Sequence, residues 1–213
     1  MYRCEAASVA GFIQQLAVAY VAHGYWFYVT GKVPAHKAPR AVDTKLIARY
    51  ALDMSKWTRC RRRKNGTASV QYLRHGRFFI LVATHGRHEF FTAEASRILD
   101  IRRVPLRYAS YAVSCRLFLD KWHATVRLDA GVFRNMKAQF TSLALHADTE
   151  QLTQAFRRLP VEPDAAVRRQ LFELLHAVNR ARHSAGLQPI PTTALRLHRR
   201  SVTATSCSAD VND

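Results

Sequence analysis

Ala68-Ser69-Val70-Gln71-Tyr72-Leu73-Arg74-His75-Gly76-Arg77-Phe78-Phe79-Ile80-Leu81-Val82-Ala83-Thr84 decides how the rest of the chain is read. β-Branched and aromatic residues fill both arms and His75-Gly76 offers a tight connection, which predicts two strands, 68–73 and 77–84, paired as a hairpin. Toward the N-terminus, Tyr25-Trp26-Phe27-Tyr28-Val29-Thr30 is dense in the same residue types and stops at Gly31 and Pro34, predicting another strand. Leu46, Ile47 and Tyr50 mark a short helix between them, opened by Asp43. An earlier helix is marked by Val9, Phe12, Ile13, Leu16 and Tyr20, which recur at three- and four-residue steps behind Ser8 and end at His23-Gly24. Toward the C-terminus, residues 90–101 predict a helix with Phe91, Ala95, Ile98 and Leu99 on one face. Residues 106–117 and 123–128 predict a second strand pair, joined near Asp120-Lys121.

This order predicts an α+β protein. One helix precedes an antiparallel sheet of ferredoxin-like (βαββαβ) type, and a helical C-terminal half follows. Beyond Asp129 the pattern is helical throughout. Val132, Met136, Phe140 and Leu143 form one stripe behind Asp129. Leu152, Phe156 and Leu159 form a second behind Asp148, and Val167, Leu171, Leu174, Leu175 and Val178 a third between Asp164 and Gly186. The expected domains are residues 1–128, a helical extension at 129–200 packed on them, and a polar, disordered tail at 201–213.

Charge points to the partner. Against 33 Lys and Arg stand 15 Asp and Glu, a formal net charge of +18. The excess is concentrated in Lys56-Trp57-Thr58-Arg59-Cys60-Arg61-Arg62-Arg63-Lys64, read as an arginine-rich loop. No carboxylate lies between Asp53 and Glu89, so the run cannot be neutralised locally, and phosphate is the obvious counter-charge. Lys56, Arg59, Arg61, Arg62, Arg63 and Lys64 are the expected phosphate grips and Trp57 a base platform. Arg74, Arg77, Arg168 and Arg169 add to the same set. The C-terminal arginines, with Arg180, Arg182, Arg196, Arg199 and Arg200, would alternatively carry a basic helix into a duplex groove, or serve a protein partner.

The aromatics of the predicted sheet suggest how bases would be held. Tyr25, Trp26, Phe27 and Tyr28 on one strand and Phe78 and Phe79 on another are similar in outline to the exposed rings of the RNA recognition motif, where bases stack on the sheet. The order of charges and glycines in Arg74-His75-Gly76-Arg77-Phe78-Phe79 differs from that family's, and no membership follows. Alternation sends one ring pair inward and the other outward, with Trp26 and Tyr28 taken as the platforms.

An enzymatic alternative rests on His85-Gly86-Arg87-His88-Glu89, a potential metal set of the kind used by strand-nicking or joining enzymes of plasmids and transposons, with Tyr108 and Tyr111 as nucleophiles by type. The spacing counts against it, because two histidines three apart in a strand point to opposite faces. No phosphate loop, nucleophile elbow, zincin helix or dinucleotide loop occurs. Cys4, Cys60, Cys115 and Cys207 form no C-x-x-C pair. A third alternative is a structural subunit of a ribonucleoprotein or mobile-element complex. The expectation is a cytoplasmic protein without cofactor or membrane contact that binds RNA or single-stranded DNA in preference to duplex DNA.

Overall fold

The hairpin supplies two strands of the first sheet. Strand β2 (Val70–His75) pairs antiparallel with β3 (Phe78–Ala83), in a register running from Val70↔Ala83 to His75↔Phe78, and Gly76 takes a φ of +58° in the connection. A side chain at that φ would crowd its own carbonyl, which is why glycine stands there. Strand β1 (Phe27–Lys32) pairs with the far edge of β3, and β4 (Leu99–Asp100) with the far edge of β1. The sheet order is β2-β3-β1-β4, antiparallel throughout. The computed structural model describes residues 2–159 and 164–195. Among the described residues its contacts divide the chain into two compact units, one running through Leu106 and including Val113–Ala124, the other formed by Arg107–Ala112 and the described residues from Thr125 to Leu195.

A mixed α+β architecture is what the composition of the arms predicts, but the single sheet is replaced by two. Residues 106–117, read as one strand, break at Ala109, whose φ is +52°. They give β5 (Leu106–Tyr108) and β6 (Tyr111–Phe118), which form a second sheet with β7 (Lys121–Leu128) in the order β5-β6-β7. The fourth place in the first sheet goes to the two-residue β4, inside the segment read as a helix. Helix α4 (Glu89–Ala93) stops early. Extended pairing lets Ile101 bury fully and donate its N–H to the Trp26 carbonyl at 2.8 Å, a tertiary gain that overrides local helical preference. The order is only loosely compatible with a ferredoxin-like sheet.

Both faces of the first sheet are covered. On one face, Val29, Val70, Tyr72, Leu81 and Ala83 pack with Tyr50, Leu52 and Phe90, joined by Leu46 and Ile47 of α2 (Pro39–Arg49) and Phe91 of α4. On the other lies α1 (Val9–Gln14), capped by Ser8 and continued by a π-helical turn at Gln15–Tyr20 and a 3-10 turn at Val21–His23. Its Phe12 is fully buried, with ring centroids 5.8 Å from Phe78 and 6.5 Å from His75.

Asp43 is not a helix cap. Helix α2 starts at Pro39, whose missing N–H costs nothing at that position, and Asp43 lies inside it, 7% exposed. Its Oδ1 accepts from the Tyr72 hydroxyl at 2.6 Å and from Arg74 Nε at 2.9 Å, and its Oδ2 accepts from Arg74 Nη2 at 3.0 Å. Arg74, itself 2% exposed, also reaches Glu5 and the Gly76 carbonyl. Glu5 sits in a bridge that lays the N-terminal segment along β2, with Arg74 N–H donating to the Cys4 carbonyl and Ala6 N–H to the Arg74 carbonyl. Burial, reinforced by the Asp43 charge, pushes the Cys4 thiol up to about 11.

A second cation is held by rings. The Arg102 guanidinium lies 4.4 Å from the Trp26 ring and 5.4 Å from the Trp122 ring, and bonds Asp100 at 2.6 Å. Those bonds hold the Asp100 carboxyl below its usual range. A depressed folded-state value stabilises above the unfolded pKa and is lost as pH falls through the folded one. Acidification below about pH 4 is therefore expected to free Arg102 and change tryptophan emission. Asp100→Asn should remove that transition; a variant titration matching the parent would assign it to another group.

In the second unit, Asp129, Asp148 and Asp164 cap α5 (Ala130–His146), α6 (Thr149–Arg157) and α7 (Ala165–Ser184), each accepting from a first-turn N–H. Phe140 and Phe156 rings meet at 4.9 Å. Gln170 bonds both the N–H and the carbonyl of Leu128, fixing α7 to the end of β7.

Candidate nucleic-acid interface

The basic run is a helix, not a loop. Helix α3 spans Lys56–Lys64, with Ser55 Oγ accepting from Thr58 N–H at 3.2 Å and Arg61, Arg62, Arg63 and Lys64 in its last turn. Cations there oppose the partial negative charge of the carbonyl end, which offsets their mutual repulsion. The helix is seated by its inner side: Arg59 Nη1 donates to the Met54 carbonyl at 2.7 Å and Arg62 Nη1 to Met54 Sδ at 3.2 Å. None of its nine residues is buried. At 100° per residue, Trp57, Cys60, Arg61 and Lys64 share the outward side, with Lys56 and Arg63 flanking them. Trp57 is 83% exposed, an unusual position for so large a ring. Among the described residues, no ion pair involves Lys56, Arg59, Arg61, Arg62, Arg63 or Lys64.

Backbone approach at Gly86 fixes where the helix ends. Thr67 bridges Arg87 in parallel, with Arg87 N–H donating to the Gly66 carbonyl at 2.9 Å and Ala68 N–H to the Arg87 carbonyl at 3.0 Å. Gly86 has a φ of +137°, and a Cβ there would meet the backbone of residues 66–68. The glycine between His85 and Arg87 was the visible signal for this clamp. Met54 carried none, since its role depends on a carbonyl and a thioether that only the fold presents to α3.

The other predicted site residues scatter. Arg74 is consumed by Asp43 and Glu5, and cannot grip phosphate without leaving a buried carboxylate unpaired. Arg77 is exposed, and its Nη1 donates to the Pro34 carbonyl at 2.6 Å, which ties it to the 33–37 turn. Tyr28 is 3% exposed, with its hydroxyl donating to the Val104 carbonyl, so its ring has no face for a base. Trp26 is half-buried against Arg102 and Trp122, and its Nε1–H has no partner among the described residues. Burial of both sheet faces removes the stacking surface expected there. On α7, Arg168 is half-buried and Arg169 and Arg180 are exposed. Arg182 is buried and caps α5, donating to the carbonyls of Ala144 and Ala147 at 3.0 and 2.9 Å. Arg196, Arg199 and Arg200, the 160–163 link and the tail lie outside the described residues.

His85, His88 and Glu89 do not converge. His88 Nδ1 caps α4 by accepting from Phe90 N–H at 3.0 Å, and the His85 ring lies 6.4 Å from that of Phe27. Among the described residues, no three His, Cys, Asp or Glu side chains gather as a metal site. Tyr111, one of the two tyrosines considered as nucleophiles, is buried. No described helix is long and apolar enough to cross a membrane. The chain matches no known protein-family model and no curated protein.

Proposed function

We propose that this protein binds RNA or single-stranded DNA through α3, with Trp57 stacking on an unpaired base and Lys56, Arg61, Arg63 and Lys64 contacting the flanking phosphates. The observation that carries this reading is a helix with six cationic side chains, none ion-paired among the described residues, around a tryptophan that is 83% exposed. A solvent-exposed indole gains by covering a base face, and such faces are open in single strands and closed in duplexes. Phosphate contact supplies the affinity and its salt dependence. The first sheet is read as a βαββαβ scaffold carrying α3 as an addition between α2 and β2, which presents the helix without giving up any of the core.

The test is binding to labelled single-stranded RNA, single-stranded DNA and duplex DNA across a salt series, with Trp57→Ala beside the parent. The variant is expected to lose about 1–3 kcal/mol on single strands and little on duplex. The intrinsic emission of Trp57 should be quenched on binding. Equal affinities of parent and variant for every substrate would remove the helix from the interface.

A further inference from the structure

Beneath the inner side of α3 is a small recess open to solvent, lined by Tyr50, Met54, Arg59, Arg62, Ser69 and His88 among others, and no carboxylate is among its lining residues. Its polar groups are nearly all donors. Arg59 and Arg62 each use one N–H on Met54, and among the described residues the rest of their guanidinium donors are uncommitted. His88 Nδ1 accepts from Phe90 N–H, which places the ring proton on Nε2 and makes the imidazole a donor as well. Ser69 is already engaged, by the Tyr25 hydroxyl and by Thr84, and the Tyr50 hydroxyl donates to Glu94. Burial and the neighbouring Arg62 lower the His88 pKa, as expected of two cationic groups with no anion between them. The Glu89 charge offsets this only in part.

A recess lined by two arginines and a histidine, without a carboxylate, suits an acceptor-only anion. Only about 10 Å³ of the recess lies clear of its walls, room for one water-sized oxygen. An internal phosphodiester would have to bring a sugar on each side, whereas a terminal phosphate projects and can lead with an oxygen. We propose that this cleft is a phosphate-monoester site, formed by Arg59, Arg62 and His88, that takes the terminal phosphate of a nucleic-acid strand lying on α3. The strand rests on the function proposed above; the phosphate site stands on its own geometry.

The test compares one single-stranded oligonucleotide with a 5′-phosphate, a 3′-phosphate or hydroxyl ends, with adenosine monophosphate and inorganic phosphate titrated separately while the His88 ring is followed by NMR. One phosphorylated end is expected to bind about tenfold tighter than the hydroxyl form. His88→Asn, which keeps an oxygen to accept from Phe90 N–H, should abolish that preference while leaving the hydroxyl form's affinity unchanged. Arg62→Gln should abolish the preference too. The His88 pKa should rise on phosphate binding, against the opposing field of Arg59 and Arg62 and with help from Glu89. Equal affinity for phosphorylated and hydroxyl ends, or a preference that survives both substitutions, would overturn the terminal-phosphate proposal. If no oligonucleotide binds, the α3 reading fails alone: a saturable His88 shift with inorganic phosphate or the nucleotide would still establish the site and name a free monoester as its source. No shift with either would overturn it.

Discussion

Asp43→Asn is expected to destabilise the first unit by about 3–5 kcal/mol, the range for removing one partner of a buried ion pair. The amide keeps the volume of the carboxylate but not its charge. It would leave the guanidinium of Arg74, 2% exposed, facing a neutral group and the partly solvated Glu5. The Tyr72 hydroxyl would lose its charge-assisted acceptor at the same stroke. Urea unfolding followed by circular dichroism gives the number, and a loss under about 1 kcal/mol would mean that Glu5 alone compensates Arg74. Asp43→Leu combined with Arg74→Met should recover much of the loss, because buried pairs often give way to well-packed apolar groups at little net cost. A double variant as unstable as the sum of the two single ones would show that specific geometry, rather than charge compensation, is what the pair supplies.

The second large effect is on binding. Replacing Arg61, Arg63 and Lys64 together by Ala removes three exposed cations while leaving the contacts of Arg59 and Arg62 with Met54 intact, so α3 should stay seated. Each phosphate contact on a single strand contributes about 0.7 to the slope of log affinity against log salt, so the triple variant should flatten that slope by about 2. At low salt the affinity should fall by roughly a hundredfold, and uniformly across sequences, since phosphate contacts carry no base information. An unchanged slope with normal folding would place the polyanion on another face, with the exposed arginines of α7 the next to be replaced.

How much of this was legible in the sequence depends on the range of the interaction. The β2–β3 hairpin and the caps at Asp129, Asp148 and Asp164 could be read because each signal lies within a few residues of its partner. Asp43 was misread as a cap because its true partner, Arg74, lies 31 residues away and no local pattern marks the pair. The helix at 56–64 was missed for a different reason: it has no apolar stripe, and a helix that buries nothing shows no 3.6-residue periodicity. Its candidate role was nonetheless visible, since charge and an aromatic in a carboxylate-free stretch need no fold to be noticed. For the sheet rings the failure was one of coverage. Alternation tells which rings share a face, but not that α1 lies across the face expected to be open.

The N-terminal segment along β2 also bears on the order in which the chain can fold. Tyr2 bonds the backbone of Tyr72, a partner 70 residues on, and Cys4 and Ala6 bond that of Arg74. The same unit takes Trp122 against Trp26. During synthesis residues 2–6 must therefore wait until residues 72–74 have been added before their partners exist. The contacts that close the sheet edge form only after the entropy of a long loop has been lost, and local helices are therefore expected to form before the sheet.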